Sequence, residues 1–286
     1  MKSEKSKFFN NLDIIKSNYS LYFKTNWVSN LNIFLAIIVA SSIFLIGLIQ
    51  LEFSIYNIFF GIGKIGSIVY LMMPPNPESW SRVLIYSYSI GETLAIAILG
   101  TILAMIFAFP LSFFASRNVM SNRLLQLFSR RIFDTIRGVD TLVWALIWIN
   151  VVGLGPFAGV LAIMTSDIGA FGKLFSETIE SVDRKPIEAI KASGGTKFHT
   201  IVYGIVPEIL PIITSQVLYY IESNTRSATI IGIVGAGGIG MHLSEQIRTL
   251  EWQQTSTIIF MILVTVAIID YISSRIRFSI IGPLTR

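Results

Sequence analysis

The chain has 286 residues, of which 53% are hydrophobic and only 14% are charged, and its mean hydropathy is +0.67. This composition excludes an ordinary soluble domain and indicates an integral membrane protein. The absence of cysteine excludes disulfides and thiolate metal sites, and two histidines leave little for zinc, so we expect neither a metal nor a catalytic site. A net charge of +5 fits either nucleic-acid binding or basic loops beside a membrane.

A polar lead of about 30 residues precedes the first apolar stretch and shows no cleavage pattern of a signal peptide, so we expect the first span to be retained. Within this lead, residues 8–27 have an amphipathic pattern with two lysines, Lys16 and Lys24. The pattern predicts a segment on the inner membrane face, with its lysines near anionic lipid. The chain is therefore divided into a cytoplasmic lead, residues 1–30, and a transmembrane domain, residues 31–286.

Six apolar stretches are candidates for membrane-spanning helices, each of which needs about 20 mainly apolar residues. They lie near residues 33–50, 89–114, 139–152, 157–175, 208–234 and 255–272. The third stretch is short, and a helix that begins earlier, near Ile132, is equally compatible with the sequence. The sequence thus predicts an all-α membrane protein with six transmembrane helices.

Residues 53–73 are also apolar, but Lys64 and three glycines interrupt them, and three prolines follow. Counting this segment as a span would give seven helices and would put the N-terminal lysines opposite the other basic loops. We therefore interpret it as an extracytoplasmic segment that lies on the membrane surface.

The basic residues decide the orientation of the chain. Lysines and arginines concentrate in the N-terminal lead, in the loops after the second and fourth spans, and in the C-terminal tail, whereas the alternate loops hold only Lys64, Arg82 and Arg248. Basic loops face the cytoplasm, so both termini are predicted to be cytoplasmic. Topology accounts for the positive charge, and no nucleic-acid partner is expected.

Polar residues inside the third and fourth spans are candidates for a translocation pathway. Asp167, with Ser166 beside it, lies on the fourth span, and Asn150 ends the third. Such groups either offer hydrogen bonds to a passing ligand or join neighbouring helices, and Asp167 is equally compatible with packing or gating.

The loop of residues 177–207 separates two apolar segments and carries clear helix signals. Pro186 fits the first turn of a short helix, and Glu188 complements the positive end of its dipole. Gly194 and Gly195 supply a left-handed stop, and Thr196 is a predicted N-cap for the next segment.

In the fifth span, Glu222 and Arg226 stand four residues apart and are predicted to form an ion pair on one helical face. Arg226 either draws an anion through the pathway or belongs to a structural pair with Glu222. We favour the structural pair, because pairing neutralises the attraction for an anion. Ser223 offers a neutral hydrogen bond nearby.

A glycine cluster ends the fifth span and contains a literal G-x-G-x-x-G from Gly235 to Gly240. A dinucleotide site would need a preceding strand and a soluble βαβ unit, which this context lacks. Small residues let membrane helices approach closely, so we predict a packing role and no bound cofactor.

Several motifs carry a resemblance to a known family. The spacing of Glu188, Ala189, Gly194 and Pro207 resembles the EAA coupling loop of ABC importer permeases. From about Pro74 to the final span, further blocks resemble the phosphonate and phosphite subfamily, namely residues 110–118, 137–146, 152–159, 203–207 and 225–229. Ile190, Gly204 and Val206 depart from the general importer consensus, and the subfamily accepts the glycine.

The resemblance implies a type I ABC importer (MetI-like) permease fold, multi-pass in the bacterial inner membrane, working as a homodimer with two ATPase subunits and an extracytoplasmic substrate-binding protein. The chain has no phosphate-binding loop, so ATP hydrolysis is assigned to the ATPase and the chain is not an enzyme. Ala189 and Ala192 would let the ATPase approach, and Ile187 and Ile190 would give it an apolar grip. The coupling residues implied are Pro186, Ile187, Glu188, Ala189, Ile190, Ala192, Gly194, Gly195 and Pro207.

Two rival functions remain open from the residues alone. An ion-gradient-driven secondary transporter of small anions would be favoured by an inverted repeat with broken helices, and we detect no such repeat. A membrane-bound enzyme would need a nucleophile, base or metal constellation, and the two histidines lie in separate loops.

Overall fold

A computed structural model describes residues 27–282. Residues 1–26, which hold nearly all of the predicted amphipathic lead, lie outside the described residues. The chain divides into two compact units, Met1–Gly66 and Ser67–Arg286.

In the first unit, a continuous apolar run forms helix α1, Trp27–Gln50, of which Leu31–Gln50 is long and apolar enough to cross a membrane. Helix α2, Ile55–Leu71, has 17 residues and runs on past the boundary between the units. It is shorter than the roughly 20 residues that a span needs. Its predicted position on the membrane surface stays a prediction.

The second unit is a helical bundle. Its longest helices pack side by side, and the shorter ones connect or cap them. In chain order its elements are α3 (Trp80–Ala115), α4 (Arg123–Arg137), α5 (Thr141–Val152), α6 (Pro156–Glu180), α7 (Arg184–Ala192), α8 (Lys197–His199), a π-helical turn (Thr200–Ile205), α9 (Val206–Ile233), α10 (Ile239–Arg248) and α11 (Trp252–Ile281).

Among the described residues, five helices are long and apolar enough to cross a membrane, and α4 and α5 make a sixth span only if they are counted together. The predicted third span differs from expectation, because α5 has 12 residues, about 18 Å of helix, and meets α4 at 86°. Asp140 causes the break: its carboxylate accepts a hydrogen bond from the Leu142 backbone N–H at 2.8 Å and so starts a new helix.

Small residues let α3 and α6 approach closely in the core of the bundle. A Cβ added at Gly100 would lie 2.8 Å from the Cβ of Ile163, so only glycine fits that crossing. Ile96 and Ile231 are buried near this crossing, and Phe171 belongs to a second buried cluster further along α6.

The glycine cluster after α9 packs against the start of α6, as predicted. The Gly155 N–H donates a hydrogen bond to the Gly235 carbonyl at 3.0 Å. Gly237 has a φ of +85°, and a Cβ there would lie 2.8 Å from the Cα of Pro156. The cluster is a tight turn between helices, which confirms the predicted packing role.

Candidate functional site

The polar loop after α6 folds as its sequence signals predict. The Asp183 carboxylate accepts a hydrogen bond from the Lys185 N–H at 3.3 Å and starts α7, and Pro186 lies in its first turn. Gly194 has a φ of +81° and ends the helix. The Gly195 N–H then donates to the Ile190 carbonyl at 2.9 Å, which satisfies one of the last carbonyls of α7.

Thr196 is the N-cap of α8, which confirms the prediction. Its hydroxyl accepts from the His199 N–H at 3.4 Å, and the His199 ring in turn accepts from the Thr196 N–H at 3.3 Å. A π-helical turn then leads into α9, where Pro207 is the second residue. Proline has no N–H and its ring clashes with the carbonyl four residues earlier, which explains why the regular helix gives way to a π turn here.

The two isoleucines of α7 are half-buried and pack towards the membrane helices, and their predicted contact with the ATPase stays a prediction. Ile187 packs against the buried cluster of α6 and α9. A Cβ added at Gly204 would lie 3.1 Å from Ile190 Cδ1 and 3.7 Å from Ile187 Cα. These side chains therefore fix α7 to the π turn, and the outer face of the helix consists of exposed residues such as Glu188, Ala189 and Ala192.

Two large aromatic side chains of the loop are also exposed. Phe198 and Tyr203 are 71% and 68% exposed, and the His199 ring stacks on Tyr203 at a centroid distance of 6.2 Å. Our sequence reasoning missed them as surface groups. The available signal was the pair of large aromatics at the end of the coupling loop, a residue type that is enriched in protein contacts.

The start of the loop is tied to two neighbouring elements. The Glu208 carboxylate on α9 accepts from the Asp183 N–H at 3.2 Å, just before α7. At the end of α6, the Glu180 carboxylate accepts from the Arg117 N–H at 2.6 Å and pairs with Arg130. The loop therefore stands on α6 and α9 together.

Further along α9, the predicted ion pair is present, with a third member. The Glu222 carboxylate lies 3.2 Å from Arg226 and 2.9 Å from Arg277 on α11. Sequence reasoning assigned Arg277 to the cytoplasmic tail, beyond a span that ended near residue 272. Because α11 continues to Ile281, Arg277 reaches the level of Glu222.

The other predicted pathway residues divide between helix packing and surface. Asp167 is 4% exposed and accepts from the Asn224 side chain, which also donates to the Thr101 hydroxyl at 2.8 Å. Ser166 accepts from the Thr141 hydroxyl at 3.0 Å, so both residues join helices.

Asn150 is exposed on α5, and its amide donates to the Leu146 carbonyl of its own helix at 2.7 Å. Ser223, next to Glu222, is half-buried.

Known proteins match this chain over most of its length. Residues 100–279 match the family model described as "Binding-protein-dependent transport system inner membrane component". HtxC of Stutzerimonas stutzeri, a permease protein named for phosphite transport, is 39% identical over 85% of this chain and 86% of its own. The "Phosphite transport system permease protein PtxC" of the same organism is 34% identical over 76% of this chain and 78% of its own.

Among solved structures, an inward-facing form of the MetNI methionine ABC transporter superposes with a TM-score of 0.61 at 18% identity, covering 71% of this chain and 99% of that one. At this identity the likeness shows the fold alone, and the fold is that of a MetI-like permease. The matches favour the ABC permease interpretation over an ion-gradient-driven transporter. The chain therefore belongs to the family of inner membrane components of binding-protein-dependent transport systems.

Proposed function

We propose that the chain is the permease subunit of an ABC importer for phosphonate, phosphite or a related phosphorus oxyanion. Two copies would form the translocation pathway, two separate ATPase subunits would drive it, and an extracytoplasmic binding protein would deliver the substrate. The names of the relatives support the substrate class. The observation that carries the proposal is the α7 loop, a short helix that stands on two long helices and exposes a face without a partner in the described chain.

We infer that the outer face of the loop docks into a cleft of the ATPase. Ala189 and Ala192 are small and exposed, so a partner backbone can approach closely, and Glu188 offers a charge beside them. Phe198 and Tyr203 add the apolar area that a stable contact needs. The implied coupling residues Pro186, Gly194, Gly195 and Pro207 shape the loop rather than contact the partner, and Ile187 and Ile190 fasten it from within.

Movement of the ATPase would reach the pathway through α9. The loop is joined to this helix by the packing of Ile190 on Gly204 and by the hydrogen bond between Asp183 and Glu208. The helical segment Lys197–Ile233 is continuous and carries Glu222 and Arg226. A rigid element of this kind converts a displacement at its end into a displacement of the charged group.

The remaining assignments are part of the same proposal. Both termini lie in the cytoplasm, the chain binds no cofactor, and membrane lipid surrounds the bundle. Glu222, Ser223, Arg226 and the exposed Asn150 face the pathway, whereas Ser166 and Asp167 support it by holding helices in place. Supporting this assignment are the hydrogen bonds of Ser166 with Thr141 and of Asp167 with Asn224, and the ion pair of Glu222 with Arg226.

The test is uptake by the full transporter in proteoliposomes, assembled from this chain with its ATPase subunit and its substrate-binding protein. We expect uptake of phosphite or methylphosphonate that requires ATP and the binding protein and continues when an ionophore collapses the ion gradients. Uptake that follows an ion gradient without ATP would support the secondary transporter and overturn the proposal.

A further inference from the structure

Glu222, Arg226 and Arg277 form a charge cluster in which positive charge exceeds negative charge. Glu222 lies 3.2 Å from Arg226 through one carboxylate oxygen and 2.9 Å from Arg277 through the other. In the described part of the chain, no other carboxylate is bonded to either guanidinium. One carboxylate cannot neutralise two guanidiniums, so the cluster keeps a net positive charge that attracts an anion.

Both arginines keep hydrogen-bond donors that nothing in the cluster uses. A guanidinium has five N–H donors. Arg226 gives one nitrogen to Glu222, and half of its side chain is exposed. Arg277 bonds Glu222 and the Ser273 hydroxyl through a single nitrogen and stands over the Tyr219 ring, and its buried Nε has no hydrogen-bond partner.

The position of the cluster indicates what the exposed side of Arg226 faces. Glu222 lies about 21 Å along α9 from Glu208, which holds the coupling loop, and Glu222 itself is buried, with 7% exposure. The cluster is thus inside the membrane-spanning bundle. An ionised side chain at this depth is too costly to face lipid and faces a water-filled cavity or a neighbouring subunit.

We propose that Arg226 and Arg277 together bind the oxyanion in transit, with Glu222 as the counter-ion that holds the two guanidiniums in place between substrates. This assignment rests on the proposed function. Planar guanidiniums bind oxyanions through paired N–H donors. Glu222 competes with the substrate for these donors, so binding is weak enough for release, as conduction requires.

The test is uptake of phosphite by the complete transporter carrying Arg226→Gln or Arg277→Gln. We expect each variant to lose at least about tenfold in uptake rate, because the anion loses a charged donor in the pathway. The matched control is Arg275→Gln, which removes the same charge from the same helix at an exposed residue whose guanidinium contacts Tyr271. The control is expected to keep the uptake of the unchanged protein.

A second set of variants separates substrate binding from a structural pair. Arg277→Lys keeps the charge and is expected to restore part of the uptake. Arg277→Gln leaves one oxygen of the buried Glu222 carboxylate without its guanidinium, and the double variant Glu222→Gln with Arg277→Gln removes that carboxylate, so a purely structural role predicts recovery. Our assignment predicts that uptake stays low although assembly and thermal stability return.

The assignment would be overturned if the two arginine variants matched Arg275→Gln, or if the double variant recovered uptake. Should Arg277→Gln fail to assemble, the half-exposed Arg226 decides the outcome, because its replacement leaves the packing of α11 intact. A wild-type transporter that takes up no phosphorus oxyanion would instead contradict the proposed function itself, which makes the two failures distinguishable.

Discussion

At the scale of single residues, Gly195 is the glycine of the loop that has the least room for a side chain. A Cβ at this residue would lie 2.6 Å from Ile190 Cγ2 and 2.8 Å from the Ile190 carbonyl oxygen. The Ile190 backbone cannot move aside without cost, so a side chain at residue 195 would force the end of α7 to shift.

We predict that Gly195→Ala destabilises the folded conformation of the loop by about 1–3 kcal/mol. ATP-driven uptake should fall while the amount of protein in the membrane is unchanged. Gly91→Ala is the control, because a Cβ at Gly91 meets open space. Equal uptake by both variants would show that the geometry of Gly195 does not matter for coupling.

Asn224 is the second residue for which the structure makes a sharp prediction. Its side chain bridges Asp167 and Thr101 in the interior of the bundle. Asn224→Ala would leave buried polar partners unsatisfied and should lower stability by about 1–3 kcal/mol, measured by thermal unfolding in detergent. Asn150→Ala, at an exposed amide, should change little.

A cycle with Asp167→Ala measures the coupling between Asp167 and Asn224. The double variant should be less destabilised than the sum of the two single variants, by about 0.5–3 kcal/mol. Strict additivity would show that the two side chains do not support each other.

At the scale of elements, the connection between the loop and α9 depends on Glu208. Replacing it by alanine removes the acceptor of the Asp183 N–H. We predict faster hydrogen exchange in α7 and lower stimulation of ATP hydrolysis by the loaded binding protein. The exposed Glu177 provides the control, and Glu177→Ala should leave both measurements unchanged. Unchanged exchange in Glu208→Ala would contradict the role of this hydrogen bond.

Local signals predicted the loop well because they act over a few residues. The stop at Gly194 and the cap at Thr196 depend on nearest neighbours, and both are present in the structure. Hydrophobicity also located the long helices. The bend between α4 and α5 was not predicted, because it is caused by the capping side chain of Asp140, which lies within an otherwise apolar stretch.

Contacts between distant elements were not predictable in the same way. The inward direction of Ile187 and Ile190 depends on the space that Gly204 leaves on another segment. Arg277 looked like part of a basic tail, and its pairing with Glu222 depends on the register of α11 against α9. A single sequence gives periodicity and charge but not the register between helices.

At the scale of the whole molecule, the coupling loop, one long helix and a charge cluster are connected in series. The loop presents small and aromatic groups outward, and α9 connects it to Glu222 and the two arginines. In this account the energy of ATP hydrolysis enters at α7, and the substrate is handled about 21 Å or more away along α9.

The most direct test of this account uses the absence of cysteine from the chain. Ala192→Cys places a single thiol on the outer face of α7, and Ser244→Cys on α10 serves as the control. We predict that the thiol at residue 192 cross-links to the ATPase subunit in membranes, that ATP changes the yield, and that the control does not cross-link. Absence of a cross-link at residue 192 in a transporter that still couples ATP hydrolysis to uptake would contradict the central claim.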